Sequence, residues 1–236
     1  MAKLTNAQAE GSRESPRSKE GVRTLDRKKS SKGARALRSQ PHARDALLAA
    51  ARTLFTEKGY EATSVVEITQ LAGISVGSLY YHFANKAEIF LAMHEDYAQR
   101  QDKRVRDALH AVKSAGITDP RRLFLAGTRA YLAGVWEDRD VSRVLAEGET
   151  PSGFNAISRQ WSDDWIKRNT VLLADGQPPA ATNAIAAAVA GAVGAWAKDI
   201  VQLPDITSAD EYIEQAVMVV GRMTGFDDES PAVNPG

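Results

Sequence analysis

Apolar side chains recur along this chain at helical rather than strand spacing. Leu47, Ala50, Ala51, Leu54 and Phe55 fall on one stripe, and Gly59 follows where a helix ends on a left-handed glycine. Ser64, with Glu67 three residues on, is a capping-box signal for a second helix whose inner face carries Val65, Ile68 and Leu71. Gly73 supplies a tight turn, and Ser75 can cap a third, short helix in which Leu79 and Phe83 share the inward face. Asn85 caps a further helix, and Glu88 stands in the position that completes its capping box.

Beyond residue 86 the pattern predicts helices over 86–114, 120–137, 140–147, 154–175, 179–202 and 208–224. Asp119-Pro120 reads as an N-cap followed by a first-turn proline. Gly148 to Pro151, Gln177-Pro178-Pro179 and Pro204 mark breaks. Strand-like alternation is absent, so the class is all-α, with a three-helix head and a larger helical domain behind it.

The outward face of the third helix presents Ser78, Tyr81 and His82, with Tyr80 at its edge, and Lys86 lies at a helix N-terminus within reach of a phosphate. Two helices joined by a glycine turn, the second short and polar outside, form a helix-turn-helix that enters a major groove. An ordinary packed helix pair accounts for the same aromatic residues taken alone. More decisive is the run of motifs: Leu-Phe-x-x-x-Gly-Tyr at 54–60, Ala-Thr-Ser-Val-x-x-Ile at 62–68, Ala-Gly-Ile-Ser at 72–75 and Gly-Ser-Leu-Tyr-Tyr-His-Phe-x-Asn-Lys at 77–86. Over residues 44–90 the chain resembles the TetR-type transcriptional regulators. The resemblance implies that Ser75, Val76, Gly77, Ser78, Tyr80, Tyr81 and His82 face double-stranded operator DNA, that Thr63 and Ser64 touch its backbone, and that Lys86 holds a phosphate. Arg, Gln and Asn are missing between Ser75 and Phe83, so discrimination falls to hydroxyls, to Val76 or Tyr81 against thymine methyls, and to DNA shape.

Charge divides the chain further. Residues 1–40 hold eleven Lys/Arg against four Asp/Glu, residues 44–86 four of each, and residues 87–236 fifteen against twenty-two. The first segment has few large apolar residues and reads as a disordered basic tail that adds to DNA attraction or is merely solvated. The expected organisation is therefore a tail over 1–40, a DNA-binding head over 41–86 and a helical body over 87–236. With no cysteine, no secretory leader and an apolar run, Ala184–Ala197, too short for a bilayer, a cytoplasmic protein without membrane contact is expected.

In the body, Ala184, Ala188, Gly191 and Ala195 make a face of small residues, and Ile213, Ala216, Val217 and Val220 make a stripe on the last helix. Such faces suit a helix buried in its own domain or one approached closely by a neighbour. The resemblance implies the second, a homodimer interface of Ala184, Ala188, Gly191, Ala195, Ile213, Val217 and Val220. Trp136, Trp161 and Trp165, with Phe124 and Tyr131, suggest a cavity for a flat or greasy effector, with Asn169, Arg129 or Asp164 as polar anchors. Zinc spacing, a phosphate loop and a nucleophile elbow are absent, so neither cofactor, metal nor catalysis is expected. The expected function is a ligand-responsive regulator, most simply a repressor released by a small apolar effector. Alternatives are a constitutive dimeric DNA-binding protein and an α-helical enzyme carrying such a head.

Overall fold

Helix α1 (42–58) opens the structure, a computed structural model that describes residues 42–173 and 179–225 and, within them, every side chain except those of 169–172. It is followed by α2 (Val65–Ala72), α3 (Val76–His82), α4 (Lys86–Ser114), α5 (Pro120–Glu137), α6 (Arg139–Glu147), α7 (Phe154–Leu173), α8 (Pro179–Ile200) and α9 (Ile206–Thr224). No strand occurs among the described residues. The basic tail expected over 1–40 lies outside them.

Local chemistry sets the boundaries. Gly73 adopts φ 66°, which lets its N–H close α2 on the carbonyls of Gln70 and Thr69. Asp119 caps α5 by accepting from the Arg121 N–H, with Pro120 in the first turn. Asp205 accepts from the Ser208 N–H at 2.8 Å, so α9 begins at Ile206, before the expected residue 208. Leu71 departs from expectation: it is exposed, because the inward side of α2 is made by Ile68 and Thr69.

From Arg44 on, the described chain packs as one compact unit containing two apolar clusters. In the first, Leu47, Leu54, Phe55, Ile68 and Leu79 of the head share a core with Phe90 and Met93 of α4, Val141 of α6 and Phe154 of α7. Phe90 is its hub, with ring centroids at 5.7 Å from Phe55, 5.3 Å from Tyr60 and 5.1 Å from Phe154. In the second, Leu132 and Val135 of α5 meet Val189 and Ile200 of α8 and Ile213, Val217 and Val220 of α9. The helix α8 runs 22 residues, longer than the apolar stretch legible beforehand, and by length and composition alone it could cross a membrane. Its Ala186, Val189, Val193 and Ile200 are buried in the second core.

Asp138, between α5 and α6, ties the clusters together. Its carboxylate accepts from Arg52 of α1 at 3.3 Å, from Arg100 Nε at 3.1 Å and from Arg104 at 2.8 Å. Arg52 also grips Asp140 with two bonds, at 2.9 and 2.8 Å. Burial alone would raise the Asp138 carboxyl, but the guanidiniums of Arg100 and Arg104 outweigh it and hold the group below the ordinary carboxylate range. A depressed carboxyl contributes stability that is complete above its unfolded-state pKa and is lost as pH falls through the lower folded value. Asp138→Asn, which leaves partly exposed guanidiniums still paired with Asp140, Asp96 and Glu137, should therefore cost about 1–2 kcal/mol at neutral pH, and the variant's stability should fall less steeply than the wild type's during acid titration. Chemical denaturation at several pH values checks both, and parallel acid limbs would remove the carboxylate from this role.

Candidate nucleic-acid interface and interior cavity

Helix α3 is held from below and from both ends. Leu79 and Phe83 are buried, and the Arg44 guanidinium lies 5.5 Å from the Phe83 ring centroid on the flank. Ser75 Oγ accepts from the Ser78 N–H at 3.2 Å, and the Phe83 N–H closes the helix on the Leu79 carbonyl. The opposite face is open: Ser75, Val76, Gly77, Tyr80 and Tyr81 are exposed, Tyr81 at 71%. Ser78 is half-buried, as is His82, whose ring meets Tyr81 edge-on at 5.1 Å.

Helix α2 starts with a complete capping box, Ser64 Oγ accepting from the Glu67 N–H and Glu67 accepting from the Ser64 N–H at 2.8 Å. Lys58 bonds the same carboxylate, and this contact first, then the Ser64 amide, brings Glu67 down to about 2. Around Asn85 the reciprocal bond is displaced by one residue, since Glu88 accepts from Ala84 N–H rather than from Asn85.

Two expected backbone contacts are placed differently. Thr63 is buried, with its hydroxyl donating to the Gly59 carbonyl at 2.7 Å, so its side chain does not face outward. Lys86 donates to the carbonyls of Tyr60 at 2.7 Å and Glu61 at 3.2 Å, and its ammonium lies 4.2 Å from the Tyr60 ring centroid. It therefore struts the turn before α2 and keeps one N–H for a phosphate. Ser64 remains exposed at the same edge.

Behind the head, α4, α5, α6, α7 and α8 line a cavity of about 560 Å³. Of the expected lining residues it contains Phe124, Tyr131, Trp161 and Trp165. Trp136 is not among them: its ring is buried in the second core, with the Arg139 guanidinium 4.6 Å from its centroid. The side chain of Asn169 lies outside the described residues. Arg129 is spent on Glu214 at the surface, and Asp164 on Gln160 and Lys167, so neither anchors the cavity. His94, Tyr97 and Gln101 of α4 do line it and were not anticipated, although their spacing places them on one helical stripe. His94 packs against Phe154 at 5.1 Å and Trp161 at 4.9 Å, and burial lowers its imidazole below the ordinary value.

The small residues Ala184, Ala188, Gly191 and Ala195 are exposed on α8. Ile213, Val217 and Val220, expected beside them, are instead buried against their own chain. The exposed large apolar side chains of α9 are Ile206, Met218, Val219 and Met223. No cluster suited to a metal occurs among the described residues.

Residues 47–93 match the family described as bacterial regulatory proteins, tetR family. The chain is 32% identical over 106 residues to the HTH-type transcriptional activator FasR of Mycolicibacterium smegmatis, covering 45% of this chain and 46% of that one. To the HTH-type transcriptional repressor AcnR of Corynebacterium efficiens it is 33% identical over 82 residues, covering 34% and 44%. The matches thus span less than half the length of these curated relatives. In fold it is similar to NalD, the secondary repressor of the MexAB-OprM multidrug efflux pump in Pseudomonas aeruginosa, with a TM-score of 0.61, 21% identity and coverage of 79% of this chain and 97% of that one. The short helix presented outward on a buried Leu-Phe pair thus lies within residues 47–93, the stretch in which this chain is similar to the tetR family of bacterial regulatory proteins.

Proposed function

We propose that this chain is a DNA-binding transcriptional regulator acting as a homodimer in the cytoplasm, and that a small effector held in the interior cavity releases it from its operator. The observation that carries the reading is α3, whose inward side is fully occupied by packing while Val76, Tyr80 and Tyr81 stand exposed. Two-fold pairing through the exposed small residues of α8 sets two such helices on successive major grooves, and the operator is then roughly palindromic. Release at an operator that blocks transcription makes the protein a repressor. Its named relatives include both an activator and a repressor.

The route from cavity to head is short. Helix α4 follows α3 after a three-residue link, begins with the strut Lys86, lines the cavity with His94, Tyr97 and Gln101, and carries Arg100 and Arg104 onto Asp138. A ligand that displaces α4 shifts the head with it, so effector and operator oppose each other with equal coupling in both directions.

Duplexes selected from a random pool by the wild-type protein test the head. Tyr81→Ala should bind them roughly tenfold or more weakly while its melting temperature stays unchanged. Lys86→Ala should differ in kind, losing roughly 1 kcal/mol of stability with its carbonyl contacts and making the salt slope shallower by about one unit. Wild-type affinity in both variants removes α3 from the interface.

Tryptophan emission tests the cavity. An apolar compound that enters should shift the fluorescence of Trp161 and Trp165 and dissociate selected DNA over one concentration range. Trp161→Ala should blunt that response yet bind DNA normally, whereas Trp136→Ala should mainly lose about 3 kcal/mol of stability as a core truncation. Release that is insensitive to Trp161→Ala places the effector elsewhere.

A further inference from the structure

Most interior polar groups on the cavity wall are already engaged. Thr128 donates to the Phe124 carbonyl at 3.0 Å, and Ser142 Oγ lies 3.2 Å from the Val135 carbonyl and 3.0 Å from the Tyr97 hydroxyl. The Gln101 amide is sealed from the cavity, its Oε1 against Gly134. The His94 ring is held edge-on by Phe154 and Trp161. Asp102, Ser158, Ser162, Arg168 and Lys198 are exposed.

Tyr131 of α5 differs from all of these. Sealed side-chain atoms without a hydrogen-bond partner belong, among the described residues, to Gln101 alone, so the Tyr131 hydroxyl, which also has no partner there, keeps accessible surface. That hydroxyl is nevertheless deep: burial first, and then the neighbouring Tyr97 phenol, push it well above the ordinary value, so it stays protonated. A group set so deep is accessible only from the cavity it lines. Space is kept there by α8, whose lining includes Ala190, Gly194 and Ala197, and a Cβ on Gly194 would meet nothing within 4 Å.

Resting on the effector-cavity reading, we infer that the cavity takes an apolar molecule bearing an oxygen acceptor, a carbonyl, ether or hydroxyl, and that Tyr131 selects it by donating its phenolic proton to that oxygen. A hydrocarbon that fills the cavity expels water and leaves the Tyr131 O–H unpaired in an apolar surrounding, which costs free energy. An acceptor at that point completes the bond, and no existing protein bond has to break. The Phe124, Trp161 and Trp165 rings take the apolar remainder of the molecule.

Two probes of one shape, 2-decanone and 2-methyl-1-decene, differ by a methylene group in place of the carbonyl oxygen. Their binding to the full chain and to its Tyr131→Phe variant, followed by tryptophan emission, tests the assignment, because the intrinsic difference in probe hydrophobicity cancels when the two affinity ratios are compared. The ketone-to-alkene affinity ratio should fall about fivefold or more in Tyr131→Phe, as expected for a buried hydrogen bond lost from one side. In infrared difference spectra the carbonyl stretch of bound 2-decanone should lie lower in the wild type than in the variant. Without probe the variant should melt within about 1 °C of the wild type, since no bond inside the protein is lost. An unchanged ratio, the same carbonyl stretch in both proteins, or a variant that melts several degrees lower overturns the role of Tyr131 and leaves the cavity reading standing. Binding of neither probe by either protein overturns the effector cavity and this inference together.

Discussion

One buried carboxylate governs how the helices of this protein meet. Asp138 is taken out of water at the junction of α5 and α6, and such a charge persists only where cations reach it. The cations come from two other elements, Arg52 on α1 and Arg100 with Arg104 on α4. The guanidiniums remain partly exposed, so each pair alone adds little to stability. Their effect is directional: α1 and α4 must present those side chains to one point, which fixes the head relative to α5. The Phe55, Tyr60, Phe90 and Phe154 rings then fill the space so defined.

Boundaries were legible wherever a cap announces them. Ser64, Ser75 and Asp119 all accept the bonds expected of an N-cap, and Gly73 takes the left-handed conformation its position requires. Inward residues of the head were legible too, because Leu54, Phe55, Ile68, Leu79 and Phe83 have only one core to enter. Leu71 was misplaced by the same logic, since the inner stripe of α2 runs Val65, Ile68 and Ala72, with Thr69 beside it, and passes Leu71 by one position.

The body was harder to read. An apolar stripe states that a helix face is covered but not by what, so Ile213, Val217 and Val220 were as consistent with a partner as with their own α5 and α8, which they meet. Trp136 fails as a cavity residue for a related reason, because an aromatic ring fills a core as well as it lines a space. Thr63 and Lys86 carry ordinary polar signatures, and only the folded turn shows that backbone carbonyls take the Thr63 hydroxyl and two of the three Lys86 donors. Gln101 is the reverse case: its place on the stripe of His94 and Tyr97 was visible, but its burial against Gly134 is a property of packing alone.

The division of labour within α3 bears on how such proteins diversify. Anchoring rests on Leu79, Phe83 and the two end bonds, one of them made by the Ser75 hydroxyl, whereas Val76, Gly77, Tyr80 and Tyr81 project outward and support almost none of the core. Mutations at the projecting positions are thus nearly free of folding cost, in the range typical of surface substitutions. A duplicated copy of the gene can vary that outward surface step by step while its intermediates still fold.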